Sequence, residues 1–110
     1  MIDSKIRTAL EPLGLPVCPH DYEGDELEYI AYVYTELGVV YANGAPHAMR
    51  YLVTLSWYLP KGENPESGKN RIRLLLKAAG ATWPNIVDAS DGDGQHYVFE
   101  FEMLGAVPDG

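Results

Sequence analysis

The stretch DASDGDGQHYVFEFE, Asp88 to Glu102, brings three aspartates, two glutamates and a histidine close together, a set of oxygen and nitrogen donors that could hold a metal ion or move a proton. A calcium loop of EF-hand type needs oxygen ligands at its first, third and fifth positions, glycine at the sixth and glutamate at the twelfth. With Gly94 at the sixth, Asp91 and Asp93 take the third and fifth and Glu100 the twelfth, but the first falls on Ala89, which offers no side-chain oxygen. Tyr97, Phe99, Phe101 and Met103 alternate with His96, Val98, Glu100 and Glu102, so Glu100 belongs to a half-buried strand and not to the start of an exiting helix. Turn chemistry explains the stretch better, since Asp and Gly tolerate positive φ and bond to nearby backbone.

Other reactive residues are scattered. Cys18, His20, His47 and His96 lack the paired short spacing of a zinc site and the local signature of a cysteine nucleophile. His96 shares a strand face with Glu100 and Glu102, where cross-strand charge pairing accounts for it without a catalytic role. Gly62 and Gly68 do not have the strand, loop and lysine spacing of a phosphate loop. These residues lead us to expect no enzyme, no catalytic residue, no cofactor and no metal. An enzyme or metal-binding domain built on Asp88, Asp91, Asp93 and His96 ranks last among the readings.

The elements that must position these side chains follow from hydrophobic period. Ile2, Ile6, Leu10 and Leu13 recur at helical spacing, with Asp3 or Ser4 as a cap and Pro12 expected to end or kink the helix. LPVCPHDYEG, residues 15–24, reads as an extended connector. ELEYIAYVYTE (Glu26 to Glu36) reads as a strand covered on both faces, and LGVVYANGAPHA as a short apolar run ending in the Asn43-Gly44 turn. MRYLVTLSWYL (Met49 to Leu59) resumes strand composition. Asn64-Pro65 marks a helix start, Ile72, Leu75, Leu76 and Ala79 make its core stripe, and Gly80 falls just past its end. ATWPNIVDASDGDG reads as an irregular return to the closing strand. The expected fold is a single α+β domain over 1–110: two helices on a mainly antiparallel sheet of about four strands, in the order α-β-β-β-α-β.

Composition narrows the class. The 110 residues are 46% hydrophobic and 22% charged, which describes a globular chain able to build one core. A lone cysteine fits a reducing compartment. The amino terminus lacks the apolar core of a signal peptide and no stretch has the length of a membrane span, so we expect a soluble protein with no membrane partner. A net charge of −8 opposes attraction to phosphate backbones and argues against direct nucleic-acid binding.

The charge is unevenly placed. Lys69, Arg71, Arg73 and Lys77 put four of the eight basic residues on one short helix, and Lys69, Arg73 and Lys77 recur every four residues as a stripe. The stripe is either a solvated helix face or a subunit contact that meets the acidic surface of another copy, head to tail, in a ring.

Taken together, EYIAYVYTE, VVYANGAPHAMRYLVTLSWYLP, NRIRLLLKAAGATWP and DGDGQHYVFEFE resemble the small tail-completion, or tail-terminator, proteins of long-tailed bacteriophages and prophages. The likeness covers nearly the whole chain through diffuse motifs that encode a fold and carry no catalytic residues. It implies a structural protein of virion assembly that caps the tail tube, usually as a six-fold ring, and contacts the head-side connector. The implied partners are other copies of itself, the tail tube protein and the head–tail connector protein. The implied location is the host cytoplasm during assembly and then the virion tail. The alternative from another class is an acidic DNA mimic or inhibitor that occupies a nucleic-acid-binding protein.

Overall fold

A computed structural model describes residues 2–42 and 45–106. Helix α1 (Ile2–Leu10) buries Ile2, Ile6 and Leu10 and gives way at Glu11–Leu13 to one turn of 3-10 helix that contains Pro12. Proline lacks the N–H that the next helical turn requires, which is why the α-helix stops where the sequence indicates. A short strand β1 (Val17–Pro19) follows, then two long strands, β2 (Tyr29–Ala42) and β3 (Ala45–Leu59), helix α2 (Glu66–Ala78), β4 (Asn85–Asp88) and β5 (Gln95–Ala106).

The five strands form one sheet in the order β1-β2-β3-β5-β4. β1 runs parallel to β2, and the remaining neighbours are antiparallel. The class is therefore α+β with two helices, as expected, but the sheet is mixed and has five strands where about four antiparallel ones were expected. Two corrections account for the difference. The connector 15–24 contains β1, held by Ile30 N–H donating to Pro16 O and His20 N–H donating to Tyr32 O, both at 2.8 Å. The irregular return contains β4, which pairs Ile86 with Phe99 and Val87 with Val98. Both strands are too short to show a period of their own, so only the neighbour they join reveals them. The strand expected at Glu26 to Glu36 and the apolar run after it are one continuous element, β2. The expected Asn43-Gly44 turn lies outside the described residues.

Both helices lie on the same face of the sheet. Against them pack Ile30 and Tyr32 of β2, Val53, Leu55 and Trp57 of β3, and Tyr97, Phe99, Phe101 and Met103 of β5, all nearly or fully buried. The closing strand thus turns inward the residues its alternation indicates. α2 contributes Ile72 and Leu76. Its end is a left-handed glycine cap: Gly80 has φ 96°, its N–H donates to Lys77 O, and Ala81 N–H reaches back to Leu76 O. At its start Pro65 stands at the N-cap, one residue before the first helical position expected of it, and Asn64 Oδ1 accepts the Glu66 N–H at 3.0 Å.

Among the described residues no helix lies over the second face of the sheet, which corrects the expectation that both faces of the 26–36 strand are largely covered. Val33 is 45% exposed there and Leu104 61%.

Candidate functional site

The strand register brings three loops to one end of the sheet. Tyr29 pairs with Tyr58 and Tyr58 with His96, so loop 20–28 before β2, the loop after β3 with the first residue of α2 (60–66), and the turn before β5 with the last residue of β4 (88–94) all lie beyond the same row. These loops carry ten of the sixteen acidic residues and, of the eight basic ones, only Lys61. The negative charge of the molecule is thus concentrated at one pole.

Across the open face at this pole runs an aromatic row. Tyr22 and Tyr29 ring centroids are 4.6 Å apart, Tyr29 and Tyr58 stack at 4.7 Å, and Tyr58 and His96 stack at 4.1 Å. Alternation places Tyr29, Tyr58 and His96 on the face opposite Ile30, Trp57 and Tyr97, so residues adjacent in sequence serve different surfaces. A groove of about 440 Å³ lies along the row, with Leu27, Tyr29, Tyr58, Lys61, Asp91 and His96 among its walls. Burial pulls the His96 imidazole below its usual range, and the charge of Asp91 partly opposes this. The ring therefore favours its neutral form.

The acidic turn spends its polar groups on itself. Ser90 N–H donates to Asp88 Oδ1 at 2.9 Å and Asp93 N–H to Asp91 Oδ1 at 2.8 Å, while Asp91 N–H meets Gly94 O at 3.1 Å. Ser90 Oγ accepts the His96 N–H at 3.0 Å. Bonds from the Ser90 side chain and backbone hold the Asp88 carboxyl below the ordinary aspartate range. Glu100 lies in β5 opposite Asn85 and Thr54, as its place in the alternation indicates. Among the described residues, no three His, Cys, Asp or Glu side chains gather to hold a metal ion.

The scattered Cys and His residues are kept apart by the sheet. Cys18 in β1 and His20 just after it are separated from His96 by β2 and β3. The side chain of His47 lies outside the described residues. His20 has a left-handed backbone, φ 65°, where the chain leaves β1. It lines a cleft of about 580 Å³ with Asp3, Arg7, Tyr32 and Tyr34.

That cleft contains a clasp that sequence reasoning missed. Asp3 and Ser4, the two residues expected to offer a helix cap, both lie inside α1. The Asp3 carboxylate accepts the Tyr32 hydroxyl at 2.6 Å and the Tyr34 hydroxyl at 3.1 Å, tying α1 to β2. Nothing in the sequence pairs residues so far apart, although two tyrosines two residues apart on the inward face mark that β2 needs a polar partner there.

The basic stripe is only partly free. Lys69 pairs with Glu66 at 3.3 Å, its side chain 19% exposed, and its ammonium sits 4.4 Å from the centre of the Tyr97 ring. Arg73 donates to Asn70 Oδ1 at 2.9 Å and lies 6.0 Å from the centre of the Trp83 ring. Lys77 is exposed, and Arg71, off the stripe, donates to Pro12 O at 2.8 Å. Of the three stripe residues, Lys77 is the one that projects from the helix into solvent.

No protein-family model matches the chain, and no curated protein matches it either. A solved structure that carries only a serial designation is similar to it at 12% sequence identity with a TM-score of 0.62, over 98% of this chain and 96% of that one. At this identity the likeness shows a shared fold.

Proposed function

We propose that this protein is a structural assembly protein of a long-tailed phage or prophage, which caps the tail tube as a ring of its own copies and contacts the head-side connector. The observation that carries this reading is the bare face of the sheet. Val33, Leu52, Val87 and Leu104 are exposed on the face that, among the described residues, no helix covers, beside the aromatic row. On this face they alternate with Thr54, Glu100 and Glu102, the mixture of exposed apolar and polar side chains that another protein can cover. The polar charge distribution supplies orientation, because an acidic pole on one copy can face the cationic end of α2 on the next. Lys77, with Lys69 and Arg73 behind it, is the subunit contact in this arrangement.

Native mass measured across protein concentration, at low and high salt, tests the ring. A closed oligomer near six subunits that dissociates in salt, and that Lys77→Glu weakens, is the expected result. A smaller species at every concentration, unchanged by Lys77→Glu, would refute it.

The concentration of carboxylates at one pole favours a second reading, an acidic mimic that occupies a nucleic-acid-binding partner. Salt-sensitive competition with DNA for such a partner is its signature, and a protein that never competes is not a mimic.

A further inference from the structure

We infer that the outer edge of β2 is a pairing edge for the same edge of a second copy, joined antiparallel about a two-fold axis at Gly38. β1 covers only part of this edge, since Val17, Cys18 and Pro19 pair with Ile30, Ala31 and Tyr32. Among the described residues, no strand pairs with β2 on that side from Val33 to its end at Ala42. The other margin of the sheet is different: β4 covers β5, Thr82 N–H donates to Glu102 O at 2.9 Å, and Lys5 Nζ donates to Leu104 O at 3.2 Å. That margin ends on the short β4, whereas β2 leaves residues 33–42 without a partner on its outer side among the described residues. A long unpaired strand edge is a template for another strand, and proteins that keep such an edge free protect it with proline, with charged side chains, above all lysine, or with a bulge. VYTELG, residues 33–38, contains neither proline nor lysine, and its one charge is Glu36.

The occupant follows from where the edge starts and stops. Ile30 N–H and Tyr32 C=O both point to the β1 side, so alternation turns the polar groups of residues 34, 36, 38, 40 and 42 outward. The midpoint of that series is Gly38. A two-fold axis beside it sets Gly38 opposite its own copy as a hydrogen-bonded pair and matches 36 with 40 and 34 with 42. This register uses the whole bare edge of both copies and stops before either β1. It forms up to about ten backbone bonds, two for each facing pair. Leu37, 36% exposed on the open face, comes next to the axis and is covered by the second copy. The two Glu36 carboxylates lie four residues apart along the joined strands, about 13 Å, beyond a Debye length in ordinary salt. A self-complementary edge of this kind needs no other partner.

The pairing does not rest on the ring reading and uses none of its subunit-contact residues Lys69, Arg73 and Lys77. Two measurements test it in a Cys18→Ser background. Gly38→Cys places one thiol opposite its copy, with Cα atoms about 5.5 Å apart, inside the range a disulfide spans. Glu36→Cys places its thiols too far apart to join. Covalent dimer from Gly38→Cys and none from Glu36→Cys under mild oxidation is the expected pattern. Equal yields from both, or none from either, would overturn the register. Separately, Glu36→Pro removes an outward N–H that the single copy does not use, and proline is tolerated on an open edge. It should keep the native circular dichroism and lose the two-fold contact, halving the native mass if that contact is the sole one. A wild-type protein that stays monomeric at every concentration overturns the pairing, whereas loss of a six-fold species alone refutes only the ring.

Discussion

Replacing Asp3 is the most direct test of how α1 is held to the sheet. Its carboxylate accepts two tyrosine hydroxyls, and Tyr32 is only 1% exposed, so Asp3→Ala leaves a buried hydroxyl without its acceptor. A hydrogen bond to a charged group contributes about 1.5–3 kcal/mol, and a buried unpaired group costs about 1–3 kcal/mol. Because Asp3 and Tyr34 are only half-buried, the expected loss is toward the lower end of the two effects combined, about 2–3 kcal/mol. At roughly 4 °C per kcal/mol for a domain of this size, the melting temperature should fall by about 8–12 °C. Tyr32→Phe removes the hydroxyl with its need for a partner and should cost only about 1 kcal/mol. Urea unfolding followed by tryptophan fluorescence measures all four proteins of the cycle. The double variant Asp3→Ala with Tyr32→Phe should lose less than the sum of the two singles. Additive losses, or an Asp3→Ala loss below about 0.5 kcal/mol, would refute the clasp.

The same clasp has a pH signature. Burial first, then the hydrogen bond to Asp3 and its charge, push the Tyr32 hydroxyl from 10.0 up to about 12, with Arg7 opposing. The folded state therefore holds this proton more tightly than the unfolded chain. Its contribution is complete below pH 10 and is lost as pH rises from 10 toward 12. Tyr32→Phe should flatten that alkaline decline relative to wild type.

The core and the seam between helix and sheet give two more tests. Phe99, fully buried between Leu55 and Ile86 in register, should cost about 3–5 kcal/mol as alanine in the same unfolding assay, and an unchanged melting temperature would contradict its inward placement. A Cβ added at Gly68 would strike the Trp57 indole, so Gly68→Ala should destabilise by about 1–3 kcal/mol despite alanine's better helix propensity. A stabilised Gly68→Ala variant would mean that α2 stands farther from the sheet than described.

Local pattern alone determined a good deal of this protein. The four-residue spacing of Ile2, Ile6 and Leu10, the alternation of Tyr97, Phe99, Phe101 and Met103, and the place of Gly80 each follow from the geometry of a single element, and each is found where that geometry puts it. The turn at Asp88 to Gly94 was legible for the same reason, because its bonds span only a few residues. Tertiary structure decided what depends on distant partners. β1 and β4 are strands only because β2 and β5 offer them edges. Lys69 reads as part of a basic stripe on its helix, yet Tyr97, drawn near by the folding of β5 onto β3, takes up its ammonium. The clasp at Asp3, the acidic pole and the uncovered face arise from strand order and register. Side-chain period encodes which way each residue points, whereas the identity of its neighbour across the sheet depends on the closure of long loops, and no local pattern in the chain records it.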